Sequence, residues 1–122
     1  MPNKIIFKKR INTFNKRIII PGDKSLSIRW VLISSISNGV SKAQNLLFSE
    51  DVLAAIKAVR KLGIKVIVNN KICKIYGKGI HGYRYKKNLT INSKNSGTLG
   101  RLILGILIDT PIPIKMLSLI HI

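Results

Sequence analysis

Two short stretches of this chain hold residues of the right type and spacing to bind an anion together. The first reads Pro21, Gly22, Asp23, Lys24, Ser25, Leu26, Ser27, Ile28, Arg29. A tight turn there delivers Lys24 and Ser25 to the opening of a helix. Backbone N–H groups are unpaired at such an opening and the helix dipole favours negative charge. Ser25 and Arg29 are four residues apart and share a helix face, so a hydroxyl and a planar guanidinium fork can reach one carboxylate or phosphate. The second stretch reads Asn95, Ser96, Gly97, Thr98, Leu99, Gly100, Arg101. It again sets small polar residues at a helix start, and Gly97 puts no side chain in the way of an anion approaching its N–H. Asn95 and Thr98 add hydrogen-bond donors, and Arg101 lies one turn on. Taken singly, each stretch also reads as an ordinary turn with an ordinary cap.

The elements that must position these residues are legible in outline. Residues 18–20 are three isoleucines stopped by Pro21 and Gly22, a strand followed by a turn. Residues 25–37 lack Gly and Pro and are apolar nearly all round, which predicts a helix buried on most sides. Asn38 and Gly39 end it. Residues 41–48 predict a short strand. Ser49 caps a second helix with Glu50 and Asp51 in its first turn, Arg60 and Lys61 in its last, and Gly63 beyond. Residues 64–68 and 71–76 predict a hairpin turning at Asn69 and Asn70. Residues 77–82 are a Gly-rich loop and 89–91 a small strand. A third helix over 96–108 and a strand over 112–116 follow. The order is strand, helix, strand, helix, strand, strand, and then the same pattern begins again, which implies α/β or α+β architecture built from supersecondary repeats.

The chain has 122 residues, of which 46% are hydrophobic, enough for one domain with a real core. Lys and Arg total 22 against 4 acidic residues, a net charge of +18 that attracts anions of any kind. Lys, Ile and Asn dominate as an AT-rich genome favours, so most of these lysines are read as solvated surface. Cys73 is the only cysteine, which excludes an internal disulfide and a cysteine-based metal site and suits a reducing cytoplasm. The basic first ten residues lack a following apolar stretch, so no signal peptide is expected, and no apolar run reaches membrane-spanning length. Tyr83, Arg84, Tyr85, Lys86 and Lys87 interleave aromatics with cations and support a competing reading, a basic nucleic-acid-binding domain. His81 and His121 are read as incidental.

The two stretches resemble the signatures of the EPSP synthase family. Lys24, Ser25 and Arg29 follow its Ser-Lys-Ser-x-x-x-Arg pattern after Pro-Gly. Asn95, Gly97, Thr98 and Arg101 follow its Asn-(Ala/Ser)-Gly-Thr-x-x-Arg pattern. Asn45, Leu46 and Leu47, then Glu50, Asp51 and Val52, then Leu62 and Gly63 fall where the family has related elements, and the similarity runs from about residue 18 to about residue 110. A sister family acting on a UDP-sugar has Asn where this chain has Ser25. Three departures stand out: Asp23 replaces a small residue and is expected to pair with Lys24 or cap the helix, Lys94 stands where Gly often precedes the Asn, and Gly100 replaces a larger residue.

The resemblance implies an inverse β-barrel fold of βαβαββ repeats, of which this chain holds the first and the opening of the second. Residues 1–20 would be a strand segment belonging to the other domain of the full enzyme, 21–115 a partial domain, and 116–122 a tail of doubtful origin in a truncated reading frame. The implied activity is enolpyruvyl transfer from phosphoenolpyruvate to shikimate 3-phosphate. Lys24 would contact both, Ser25 and Arg29 would hold shikimate 3-phosphate, and Asn95 and Gly97 would meet phosphoenolpyruvate, with Thr98 and Arg101 in support. No metal, organic cofactor, membrane or specific nucleic acid is implied, and the full enzyme is expected to be monomeric and cytoplasmic.

Overall fold

The computed structural model describes residues 3–119. Three helices and five strands run in the order α1 (Lys24–Ile36), β1 (Asn38–Gln44), α2 (Glu50–Lys61), β2 (Lys65–Asn69), β3 (Ile72–Lys78), β4 (Thr90–Asn92), α3 (Gly97–Leu107) and β5 (Lys115–Leu117). β3 is the centre of an antiparallel sheet ordered β1-β3-β2, and β4 pairs with β5 in parallel across the α3 crossover. The architecture is mixed α/β, as the order of sequence signals implies.

Strand alternation decides which face of the larger sheet is covered. Cys73 and Ile75 of β3 and Val66 of β2 point inward and are buried against Ile28, Val31 and Leu32 of α1 and Val52, Ile56 and Val59 of α2. Burial raises the pKa of the Cys73 thiol, with Arg60 opposing, which keeps it protonated and inert near neutral pH. Ile91 of β4 and Leu99 and Ile103 of α3 extend the same core. α2 ends as its punctuation predicts: the Gly63 N–H donates to Arg60 O and the Ile64 N–H to Val59 O, with Gly63 at φ +87°.

Several boundaries differ from the sequence reading. Residues 18–20 are not a strand; no ladder partner reaches them among the described residues, and all three isoleucines are exposed. β1 begins at Asn38, because Asn38 and Gly39 already pair with Lys78 and Gly77. The hairpin turns at Asn70 and Lys71, both at positive φ, as a two-residue loop matched to strand twist requires. The last strand, read over 112–116, runs Lys115–Leu117, with Met116 and Leu117 opposite Ile91 and Asn92. His121 falls outside the described residues.

α1 is covered on most sides, as its sequence implies: Ser27, Ile28, Val31, Leu32, Ser34 and Ser35 are buried, and Leu26, Arg29 and Ile33 form the exposed stripe, Leu26 and Ile33 being 65% and 60% exposed. The serine face packs on the sheet because small residues allow close approach. Gly77 of β3 lies directly beneath the carbonyls of Ser34 and Ser37, where a Cβ would clash with both. The buried hydroxyls are satisfied: Ser35 Oγ donates to Leu32 O at 2.6 Å and shares a 2.6 Å hydrogen bond with the Tyr83 hydroxyl.

Two outcomes follow. Gly77→Ala is expected to cost about 2 kcal/mol or more, since both clashing atoms are backbone, read as a lowered urea midpoint. Burial raises the Tyr83 hydroxyl pKa above 10.0, although its Ser35 bond pulls the other way. The stability tied to neutral Tyr83 is therefore complete below pH 10 and is lost as pH rises through the folded-state value. Tyr83→Phe is expected to lower stability by about 1 kcal/mol near neutrality and to flatten that alkaline decline in denaturation midpoints measured across pH.

Candidate functional site: three helix starts at one end

The opening of α1 is built by a cap and a clamp. Asp23, in extended conformation, is the N-cap; its Oδ1 accepts from the Leu26 N–H at 2.7 Å. Of the two roles open to Asp23, capping is the one it takes. Asn45 holds the preceding turn, donating from Nδ2 to Ile20 O at 2.9 Å, and Gly22 packs so closely on Asn45 O that a Cβ there would overlap it. Ser27 ties the two segments: its hydroxyl donates to Asp23 O at 2.6 Å and accepts from the Leu47 N–H at 3.2 Å. Asn45 sits at φ +59°, a conformation Asn tolerates better than most residues.

On this base Ser25 and Arg29 come together as their spacing predicts: Arg29 donates from its guanidinium to Ser25 Oγ. Lys24 reaches across to α2, with its Nζ 3.2 Å from Asp51 Oδ2; the side chains are 54% and 19% exposed. Sequence reasoning missed this partner because it saw Asp51 only as a first-turn acid. It also gave no role to Ser27 or Asn45, whose contacts span 20 and 25 residues.

The opening of α3 is set by β4. The Ser96 N–H donates to Ser93 O at 3.0 Å, Ser96 Oγ caps the Leu99 N–H at 3.0 Å, and Ser96 O accepts from the Gly100 N–H at 3.1 Å. That leaves the N–H groups of Gly97 and Thr98 without an intrahelical partner. Asn95 and Arg101 are exposed, and Gly97 and Thr98 half-buried. Gly100 is buried, in keeping with its small size. Lys94 explains the family's frequent glycine: it adopts φ +51°, the left-handed region.

All three helices point the same way. At one end Lys24 of α1 meets Asp51 of α2. Lys61, at the end of α2, donates to Thr90 O at 2.9 Å, while Asn92 and Lys94 share a small cleft with Ala54 and Lys57, so β4 runs back along α2 toward its start and α3 opens there. At the other end Ile36 of α1 and Gly105 and Ile106 of α3 line one cavity with Tyr83, and Leu62 O accepts from the neighbouring Arg84 N–H at 2.9 Å. The positive dipole ends of α1, α2 and α3 therefore share one end of the molecule with Lys24, Ser25, Arg29, Asn95, Gly97, Thr98 and Arg101. That arrangement can lower the energy of bound negative charge.

The stretch from Tyr83 to Lys87 is not a stacking platform. Tyr83 is buried on Ser35, and the half-buried Tyr85 hydroxyl donates to Ile112 O at 2.7 Å. Among the described residues no group of three His, Cys, Asp or Glu side chains could hold a metal ion, and no helix is long and apolar enough to cross a membrane.

Known proteins resemble this chain in sequence and in fold. The family model for EPSP synthase (3-phosphoshikimate 1-carboxyvinyltransferase) matches residues 8–117. A 3-phosphoshikimate 1-carboxyvinyltransferase from Bacillus cytotoxicus is 43% identical over 103 residues, covering 84% of this chain and 24% of that relative. One from Streptococcus agalactiae is 40% identical over 107 residues, covering 88% and 25%. The solved EPSP synthase from Acinetobacter baumannii superposes with a TM-score of 0.76 at 30% identity over 83% of this chain and 23% of its own. The chain belongs to the EPSP synthase family, a family of transferase enzymes of the shikimate pathway. It spans about a quarter of the length of the curated relatives it matches.

Lys94→Gly is expected to raise stability by up to about 1 kcal/mol, because glycine meets no steric penalty in the left-handed region. Chemical denaturation of the two forms checks it, and an unchanged or lowered midpoint contradicts the strain assigned to Lys94.

Proposed function

We propose that the protein to which this chain contributes transfers the enolpyruvyl group of phosphoenolpyruvate to the 5-hydroxyl of shikimate 3-phosphate. The observation that carries the reading is the pair of anion-ready helix starts, α1 and α3, at one end of a chain belonging to the EPSP synthase family. In this reading Ser25 and Arg29 hold shikimate 3-phosphate, Lys24 faces both substrates, and Asn95 and the Gly97 N–H meet phosphoenolpyruvate. Thr98 and Arg101 support that pocket. The reaction is addition–elimination: the 5-hydroxyl attacks C2 of protonated phosphoenolpyruvate, and phosphate leaves. The protein's task is to place two mutually repelling anions side by side and to compensate their charge, which helix starts and fixed cations do without reorganising.

The groups that move protons in this scheme, and further cations for phosphoenolpyruvate, belong to the part of the enzyme outside this chain, so the chain alone turns nothing over. The segment before Pro21 pairs in the other domain, and the repeats close into the inverse barrel only in the longer polypeptide. That enzyme works as a cytoplasmic monomer without cofactor.

In an enzyme of the relatives' length carrying this segment, Lys24→Ala is expected to lower kcat/KM by about 100-fold or more. Arg29→Ala is expected to act mainly through KM for shikimate 3-phosphate. Steady-state assays of phosphate release decide it. Full activity in both variants, or activity without shikimate 3-phosphate, would falsify the assignment.

A further inference from the structure

The outer face of the β1-β3-β2 sheet, turned away from the helices, carries a charge pattern that the proposed reaction does not use. Alternation puts Ile72, Lys74, Tyr76 and Lys78 of β3 on that face, because Cys73 and Ile75 between them are buried inward. Register then adds the partners of those residues: Lys42 opposite Lys74, Lys65 opposite Tyr76, and Ile67 opposite Lys74 on the other flank. Lys65 Nζ lies 5.1 Å from the centre of the Tyr76 ring.

Lys42 and Lys74 are the telling pair. Directly opposed residues in an antiparallel ladder sit about 5 Å apart, and like charges so placed destabilise the sheet. A carboxylate neighbour would normally relieve this. The chain has four acidic residues, Asp23, Glu50, Asp51 and Asp109, and none lies on the three strands. Asp23 caps α1, Asp51 pairs with Lys24, Glu50 opens α2, and Asp109 lies beside His81. The sheet thus sets two cations side by side with no counter-charge of its own.

They also border a depression. A cleft of about 250 Å³ is lined by Lys42, Ile67, Asn69, Ile72, Lys74 and Tyr76, with the Asn70 turn at its rim. Its cations are paired across the ladder, and the isoleucines supply an apolar surface between strands. Asn69 and Asn70 add amide donors. The volume lies below the roughly 300 Å³ at which pockets for larger ligands begin, so a compact ligand fits.

We propose that this cleft is a second anion site, binding a phosphate monoester with a small apolar or aromatic body. The phosphate lies between Lys42 and Lys74, which as mobile point charges adapt to it, and the body rests on Ile67 and Ile72. The cleft shares no lining residue with the three helix starts and does not rest on the reading of the reaction.

Amine-acylation footprinting of the full chain, read by mass spectrometry at low ionic strength, tests it with phenyl phosphate as the probe. Labelling of Lys42 and Lys74 is expected to slow by about threefold or more at saturation, while Lys8 and Lys9 label unchanged. Protection of Lys42 is expected to vanish in Lys74→Gln and persist in Lys74→Arg. Lys42→Gln should remove the protection of Lys74 in turn. Equal slowing at Lys8 and Lys9 means bulk charge screening and overturns the site, as does no slowing at all. Inorganic phosphate protecting as well as phenyl phosphate overturns the role of the apolar floor. Protection by a single-stranded oligonucleotide but not by phenyl phosphate replaces the small ligand with a polyanion.

Discussion

A helix start leaves backbone N–H groups without partners, and the disposition of those groups governs this structure. Asp23, Ser49 and Ser96 each cap one first-turn amide, at positions where short oxygen-bearing side chains reach it best. What the caps leave unsatisfied faces a single end of the molecule, because the strands and loops force all three helices to run in one direction. Lys24 and Asp51 show the local consequence. The Lys24 ammonium lies against Asp51 in the first turn of α2, which joins the starts of the first two helices.

Much of this was legible in the sequence where the signals were local. α2 carried its own cap, acidic first turn, basic last turn and terminal glycine, and the structure places its ends where those residues put them. Ser25 and Arg29 needed only helical spacing to find each other. The hairpin was read one residue early because Asn69 and Asn70 look alike, whereas the turn is decided by which two residues take positive φ.

What the sequence did not reveal depends on contacts distant along the chain. Apolar periodicity could not say which side of α1 meets the sheet. Part of the answer lay in Gly77, forty residues beyond, whose missing Cβ lets β3 come up against the carbonyls of Ser34 and Ser37. The isoleucines at 18–20 have every local property of a strand, yet a strand exists only with a neighbour, and none is supplied within the described residues. Asn45 was conspicuous as a family position but mute about its task, which is to fasten the turn at Gly22 by a hydrogen bond to Ile20, 25 residues earlier.

The two sheets differ in the length of chain each must close, and this sets an order of assembly. β2 and β3 meet across a two-residue turn, so their first contacts form without a large loop-closure entropy. β4 and β5 meet only after α3 has been laid down between them, with Thr90 opposite Lys115. During synthesis the hairpin, α1 and α2 are available to collapse while the later pair still lacks its second strand. The α3 opening is thus the last of the three helix starts to gain its supporting strands, and the anion-facing end of the molecule matures late.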